Sequence, residues 1–478
     1  MLNIWIKFLV RVTKFRYNVV VYEYFLGGKN MGVTTFKGGV HPYDGKALTM
    51  DQAIVELKPQ GLMVFPLSQH IGAPAQPLVA KGDRVLMGQK IAEASGFISV
   101  PVISSVSGTV KSIEKKLTAG GAMIDAIVIE NDQQYEAIEG FGTARDYTKL
   151  SREEIVSIVK EAGIVGLGGA GFPTYVKFSP KEIDKIDTFI VNGAECEPYL
   201  TSDYRDMMET PEKIIGGLKV ILSLFPNAKG KICIEDNKPE AIKLLSEKLG
   251  NEPNIEVLTL KTKYPQGGER QLIYAVTGRK INSAMLPADA GVVVDNIDTV
   301  VSVYEAVCES RPLVRKIVTV TGDAIAKPGN FKVPLGMNYQ EIIDAAGGFT
   351  EDPEKVICGG PMMGIPLFRL DVPVAKNSSS ILALKHDPVS ALPVTACINC
   401  GRCVEACPEN LVPTMLMKAS LAKNTDRFAE LFGLECIECG CCSYVCPAKR
   451  PLTQAFKEMK RRTRAAQKAA AAKKEVKK

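Results

Sequence analysis

Eight cysteines fall in two runs, Cys397-x-x-Cys400-x-x-Cys403-x-x-x-Cys407-Pro408 and Cys436-x-x-Cys439-x-x-Cys442-x-x-x-Cys446-Pro447. No other feature of the chain restricts its folding as tightly. Three thiolates at two-residue intervals cap three irons of one cubane, and the fourth cysteine of each run ligates the cluster of the other. The spacing assigns Cys397, Cys400, Cys403 and Cys446 to one [4Fe–4S] cluster. It assigns Cys436, Cys439, Cys442 and Cys407 to a second. Crossed ligation ties both runs into one fold and holds the clusters close, as a one-electron relay requires. Zinc sites use four ligands in C-x-x-C pairs, often with histidine, whereas these runs have eight thiols, two Cys-Pro endings and no nearby His. Disulfides need an oxidising compartment, and no cleavable signal peptide is evident. Cys441 lies inside the second run but off its register, and is expected to be a buried spare thiol.

A length of 478 residues predicts several domains. The remaining cysteines, Cys196, Cys233, Cys308, Cys358 and Cys441, are scattered and odd in number, which suits reduced thiols in a cytosol. The net charge of +6 is concentrated at the ends: residues 457–478 hold ten Lys or Arg against two Glu, and residues 1–30 hold five against one. The body between is mildly acidic, which argues against a nucleic-acid partner. No apolar run approaches the roughly 20 residues that span a bilayer. In Ile4 to Leu26 the run is interrupted by Lys7, Arg11, Lys14 and Arg16. That segment reads as a basic surface helix, a targeting segment, or an upstream extension with Met31 as the true start. We favour the extension, because structured sequence begins at once after Met31.

Residues 36–45 form a Gly- and Pro-rich opening loop, and residues 60–130 read as short strands with turns. Gly82 to Gln89 and Ser107 to Val110 look like the two halves of a lipoyl-type sandwich. No Lys lies between Glu93 and Lys111, so a swinging-arm cofactor is not expected. Ser151-Arg-Glu-Glu154 has the form of a capping box and opens an amphipathic helix with Ile155, Ile158 and Val159. The helix leads into Gly166-Leu-Gly168-Gly169-Ala-Gly171-Phe172-Pro173-Thr174, which formally contains G-x-G-x-x-G. A Rossmann fingerprint needs a strand before it, and here the preceding segment is helical. Successive glycines still let backbone amides approach an anion. Phe189 to Val191 reads as a buried strand ending at Asn192-Gly-Ala-Glu195-Cys196-Glu197-Pro198, where α/β folds place ligands. Tyr264-Pro-Gln-Gly267-Gly268-Glu269 and Asp295-Asn296-Ile-Asp298-Thr299 are further polar clusters beside apolar runs.

These four segments, in this order, resemble the FMN- and NADH-binding subunit of respiratory complex I over roughly residues 150–305. That family's G-A-G-F-P-T falls on Gly169 to Thr174, with Lys177 after it. N-A-D-E-x-E-P falls on Asn192 to Pro198, with Ala194 where the family has Asp. Y-x-x-G-E-E falls on Tyr264 to Glu269, with Gly268 for the first Glu, and N-N-V-E-T falls on Asp295 to Thr299, with Asp295 for the first Asn. The resemblance implies that Gly166, Gly168, Gly169 and Gly171 hold flavin phosphate and that Asn192, Asn296 and Thr299 hold the rest of a noncovalent FMN. It implies nicotinamide-nucleotide contacts at Phe172, Lys177, Glu195, Glu197 and Glu269, and a further cofactor-binding position at Gly267, with no catalytic acid or base. Residues 315–365 resemble the β-grasp (SLBB) module of the same family, with a strand at Lys316 to Thr321, a turn at Pro328-Gly329 and a helix from Tyr339 to Ala346. Gly359-Gly360-Pro-Met-Met-Gly364 is expected to serve packing. After Val374 a polar linker through Asn377 to Ser380 is expected to deliver the cluster region, with Leu411 to Phe432 helical and its Met stripe in the core.

The expected fold is therefore multidomain α/β and α+β. Its parts are an extension (1–30), an opening loop with a lipoyl-like sandwich (31–148), an FMN/NADH domain (149–312), a β-grasp module (313–375), an α-helical two-cluster ferredoxin (376–456) and a basic tail (457–478). This order resembles the RnfC family, a component of the Rnf electron-transport complex, from about Phe36 to Pro451, including the opening Lys37-Gly-Gly-Val-His-Pro. The resemblance implies a peripheral subunit on the cytoplasmic side of a bacterial membrane. Its implied partners are integral membrane subunits, a ferredoxin-like subunit and NAD(H). A cobalamin reductase of bacterial microcompartments shares most of the order, and a docking subunit with a decayed flavin site would share all of it.

Overall fold

The computed structural model describes residues 34–387 and 389–475, so the expectation for residues 1–30 lies outside the described residues. The described chain begins as a strap. Thr34 bridges to Leu260 and Val40 to Tyr264, and the Gly39 amide donates to the Ala406 carbonyl at 2.9 Å. Gly38 has φ 83°, and a Cβ there would sit 2.8 Å from the carbonyl oxygen of Cys407. Only glycine combines that backbone with that approach. β1 (Ile54–Glu56) then leaves to join a sheet formed far downstream.

The sandwich is built from β2 (Leu62–Pro66), β3 (Gln76–Pro77), β4 (Arg84–Val85), β5 (Lys90–Glu93), β6 (Val102–Ile103), β7 (Gly108–Leu117) and β8 (Met123–Asn131). Two sheets, β2-β8-β7-β4 and β3-β5-β6, close over Met63, Phe65, Val85, Ile91, Val110 and Ile127. Burying each such side chain contributes about 1.5–3 kcal/mol before entropy is counted. The expected halves meet where Arg84 and Val85 pair with Thr109 and Gly108.

α1 (Arg152–Glu161) carries the expected capping box and buries Ile155 and Val159. α2 (Thr174–Lys177) is a single turn after the Gly-rich loop. A parallel sheet follows: β9 (Thr188–Gly193), α3 (Ser202–Glu209), α4 (Pro211–Leu222), β10 (Lys229–Glu235), α5 (Pro239–Leu249), β11 (Ile255–Leu260), α6 (Glu269–Thr277), β12 (Val292–Asn296) and α7 (Ile297–Cys308). The adjacent strands β9 and β12 carry the apolar runs Phe189–Val191 and Val292–Val294, as strands covered on both faces require. The order β11-β10-β9-β12 reverses direction at β9. At such a switch point the connections leave to opposite sides, and a crevice opens past the strand ends.

The next sheet has the order β1-β14-β13-β17-β15-β16. It uses β13 (Arg315–Thr321), β14 (Gly329–Pro334), α8 (Tyr339–Ala345), β15 (Lys355–Cys358), β16 (Ile365–Leu367) and β17 (Ser380–Leu384). Three expectations change here. The turn lies at residues 322–327, and Gly329 already belongs to β14. The opening segment contributes β1 to this sheet, not to the sandwich. The polar run Asn377 to Ser380 is no linker, because β17 sits between β13 and β15 inside the sheet. Ser378 tolerates burial because its hydroxyl accepts from Tyr339 Oη (2.8 Å) and from the Ala375 amide (3.0 Å). Residues 385–396 make the actual connection to the cluster region.

That region is helical, as expected: α9 (Arg402–Glu405), α10 (Pro413–Leu421), α11 (Thr425–Glu430), α12 (Cys441–Tyr444) and α13 (Leu452–Glu475). The continuous helix expected over 411–432 is broken. Lys423 has φ 51°, and Asn424 caps α11 by accepting from the Arg427 amide at 2.8 Å; short amide side chains compete for backbone in this way. Leu416, Met417, Phe428, Leu452, Phe456 and Met459 form the core, while Met415 is exposed, so the Met stripe is only partly internal. α13 runs unbroken through the expected boundary at 456.

Candidate functional site

At the β9/β12 switch point Asn192 and Asn296 are register partners. The Gly-rich loop lies over them. The Leu167 amide donates to Thr299 Oγ1 at 2.9 Å, and a Cβ on Gly168 would sit 2.8 Å from the Asn296 side chain. Gly168 is thus required by close approach, whereas no atom lies within 4 Å of a Cβ position on Gly169, whose face is open. Asn192 Nδ2 donates to the Gly267 carbonyl at 2.9 Å, and Glu269 opens α6 at the exposed rim. Lys177 Nζ reaches across to Asp295 Oδ1 (2.7 Å) and the Val294 carbonyl (2.8 Å). Burial pushes the Asp295 carboxyl up and the Lys177 cation pulls it back. Its second oxygen, Oδ2, is buried with no hydrogen-bond partner among the described residues. Gly166, Gly168, Lys177, Asn192, Gly267, Asn296 and Thr299 are thus brought together at these strand ends, with Glu269 beside them, whereas a Cβ on Gly171 would meet Gln69 and His70 of the sandwich and Phe172 is tied to the loop by its carbonyl, which accepts from the Gly166 amide at 2.9 Å. A cradle with an open glycine face and polar strand ends fits a phosphate-bearing planar cofactor.

Glu195 and Glu197 are the exceptions. Glu195 has φ 45°; its Oε1 accepts from the Asp203 amide at 2.7 Å, and its Oε2 lies 3.7 Å from Lys46 Nζ. Glu197 Oε1 accepts from the amides of Met362 (2.7 Å) and Met363 (3.2 Å), so its carboxylate is engaged by the Gly359–Gly364 loop. Both carboxylates are thus engaged by protein groups, Glu197 by the Gly359–Gly364 loop and Glu195 by the Asp203 amide, while Glu195 Oε2 is buried with no hydrogen-bond partner among the described residues. Sequence reasoning missed several partners. Asp203 accepts from Asn296 Nδ2 at 2.6 Å, and burial, then the charge of Glu195, push its carboxyl up. Lys46 donates to the carbonyls of Glu197 and Leu200. Asp203 follows the Asn192–Pro198 segment closely enough for its position to have drawn notice; nothing in the pattern around Lys46 marks it.

The two cysteine runs repeat one backbone. Asn399 and Gly401 have φ 55° and 78°, and Glu438 and Gly440 have 60° and 85°. Amides of Asn399, Glu438 and Leu411 lie 3.4, 3.4 and 3.3 Å from the sulfurs of Cys397, Cys436 and Cys407, and hydrogen bonds to ligating sulfur tune cluster potentials. Cys397, Cys400, Cys403 and Cys446 line one cavity, and Cys407, Cys436, Cys439 and Cys442 line another together with Cys441. This is the crossed grouping that the spacing implied. Four cysteines of each cavity suit the four irons of a cubane, and Cys441, the fifth thiol of the second cavity, lies outside the two-residue register of its run. Cys397 and Cys400 are exposed, whereas Cys439 is buried. Cys441 is fully buried, with Sγ 3.9 Å from the Tyr264 carbonyl.

The crevice and the second cavity share a wall. Tyr264 Oη donates to the Cys439 carbonyl at 2.8 Å, and three residues on Gly267 touches Asn192. Arg270 Nη1 donates to Glu409 Oε2 and Glu435 Oε2, both at 2.9 Å. These features define a flavin and iron–sulfur electron-transfer protein. Residues 34–134 match the RnfC barrel sandwich hybrid domain, 159–305 the Nuo51 FMN-binding domain, 317–366 the SLBB domain and 396–450 the 4Fe-4S dicluster domain. The chain is 45% identical over 437 residues to the C subunit of the proton-translocating ferredoxin:NAD(+) oxidoreductase complex of Clostridium ljungdahlii, covering 90% of this chain and 94% of that one. It is 44% identical over 430 residues to the Na(+)-translocating counterpart of Acetobacterium woodii, covering 89% and 96%. The chain belongs to the RnfC family, with an FMN-binding domain and a 4Fe-4S dicluster domain. Among solved structures it is similar to an NAD+-reducing [NiFe]-hydrogenase, with TM-score 0.47, 19% identity, and coverage of 66% of this chain and 61% of that one.

Proposed function

We propose that the chain is the NAD(H)-reactive peripheral subunit of a membrane-bound, ion-translocating electron-transport complex, exchanging electrons between NAD(H) and ferredoxin-linked membrane partners. The observation that carries this is the shared wall: the segment bearing Tyr264, Gly267 and Glu269 touches Asn192 at the crevice and Cys439 at a cluster cavity. In this reading Gly166, Gly168, Gly169 and Gly171 hold the flavin phosphate, Asn192 and Asn296 hold the ring system, and Thr299 fixes the loop from beneath. Phe172, Lys177, Gly267 and Glu269 are left to receive the nicotinamide nucleotide. Bound flavin supplies the conversion between a hydride's electron pair and single electrons. The cluster held by Cys407, Cys436, Cys439 and Cys442 lies inward, and that of Cys397, Cys400, Cys403 and Cys446 faces outward, where a partner can approach.

No described helix is long and apolar enough to cross a membrane; in this reading the movement of ions belongs to the membrane partners. The names of the relatives, which include ion translocation, support membrane partners, and attachment at the cytoplasmic face is part of this proposal. The test is fractionation of native membranes with and without those partners. Retention with partners and release to the cytosol without them is expected. Retention on membranes lacking every partner would refute peripheral attachment through protein contacts.

A further inference from the structure

Lys177 and Asp295 form an ion pair in the wall of the crevice. Asp295 sits on β12 one residue before Asn296, with its side chain fully buried, while Lys177 is 20% exposed. Lys177 Nζ also lies 3.5 Å from where a Cβ on Gly166 would stand, so the cation abuts the Gly-rich loop. The Asp295 oxygen not used by Lys177 has no donor among the described residues. For orientation alone, an amide would serve as well, because its oxygen would accept from Lys177. A carboxylate adds one thing, a negative charge 2.7 Å from the cation. Inside a low-dielectric wall that charge cancels most of the field which Lys177 would project into the crevice.

Building on the flavin assignment above, we infer that Asp295 sets the charge of the flavin pocket, neutralising Lys177 and so holding the flavin's reduction potential low. Reduction adds negative charge to whatever the crevice holds. An unneutralised cation stabilises the reduced form more than the oxidised one, and a paired cation does not. Asp295 is a positioning and charge-setting residue, since it acts through Lys177.

The test is a spectroelectrochemical titration of FMN in the full chain, loaded with flavin and clusters, for wild type, Asp295→Asn and the double variant Asp295→Asn/Lys177→Met. Asp295→Asn keeps an oxygen for Lys177 and removes the charge. The flavin reduction equilibrium should move about tenfold toward the reduced form, close to 30 mV upward for a two-electron couple. The double variant, which removes both charges, should return to within about threefold of wild type, in the manner of a coupled pair. An unchanged or lowered midpoint in Asp295→Asn overturns the inference. Should that variant lose its flavin, the double variant decides: a near-wild-type midpoint supports charge neutralisation, and a tenfold shift overturns it. Wild-type chain that takes up no flavin overturns the functional reading itself, whereas a normal flavin indifferent to Asp295 overturns this inference alone.

Discussion

Arg270 is the clearest place to test how the flavin domain grips the cluster domain. It lies in the first turn of α6, directly after Glu269, and one guanidinium nitrogen donates to Glu409 and Glu435. Glu409 follows Cys407 by two residues and Glu435 precedes Cys436 by one, so this single cation holds both cysteine runs against the crevice wall. The three side chains are 17%, 14% and 27% exposed, largely but not wholly screened from water. Breaking a fully buried pair from one side costs about 3–5 kcal/mol. Here Gln271 remains as a donor to Glu409 and Ser283 to Glu435, so Arg270→Met should cost about 2 kcal/mol, in line with charged hydrogen bonds. That corresponds to roughly a 30-fold shift in the docking equilibrium. Residues 385–396 connect the two domains, and proteolysis there tracks the undocked population when opening is fast. The variant should be nicked in that segment roughly 30-fold faster while keeping both clusters. Arg270→Lys should fall between, because a compact ammonium spans two carboxylates less well. Cleavage of Arg270→Met at the wild-type rate would refute the clamp.

Four further outcomes follow from the same geometry. Cys407→Ala should damage the cluster lined by Cys436, Cys439 and Cys442, as read by electron paramagnetic resonance, and loss of only the other cluster would contradict crossed ligation. Cys441→Ser should leave iron and sulfide at about eight each, since its sulfur packs against Tyr264; a fall in either contradicts its role as a spare thiol. Gly168→Ala should lower flavin affinity at least tenfold by driving a methyl into Asn296, and unchanged affinity in an equilibrium titration would remove that loop from the site. Lys376, buried with Nζ 2.9 Å from the Pro101 carbonyl and 2.7 Å from that of Gly163, has its ammonium pushed down to about 7 by burial. Its folded value lies below its unfolded one, so the unfolded chain binds more protons between about pH 7 and 10.5 and stability should rise with pH across that window. The difference in urea midpoint between wild type and Lys376→Met should move in favour of wild type from pH 7 to 9; a pH-independent difference would exclude Lys376 as the cause.

Much of this was readable in the residues because covalent spacing and strand-end chemistry are local. The cysteine runs fixed their own cross-grouping, and Asn192 and Asn296 each close a β-branched run whose burial the sequence already implied. What the sequence hid was long-range. The opening segment carries no periodicity that would show Thr34 to Val40 lying against Leu260, Tyr264 and Ala406. Asn377 to Ser380 looked like a linker because hydroxyls are common in loops, and the Tyr339 hydroxyl and the Ala375 amide make Ser378 compatible with a core. Glu195 and Glu197 matched a family motif by type, but their orientation depends on Lys46, Asp203 and Met362, the last of them about 165 residues away in sequence.

The most direct measurement of the central claim is rapid-freeze electron paramagnetic resonance of the isolated, cluster- and flavin-loaded chain after anaerobic mixing with NADH. The account predicts that the flavin absorbance bleaches and that a reduced-cluster signal then grows at its expense, with Tyr264→Phe slowing the second phase and sparing the first. Bleaching with no cluster signal on any timescale, or cluster reduction in a chain stripped of flavin, would contradict an electron path that runs from the crevice through the Tyr264–Cys439 wall.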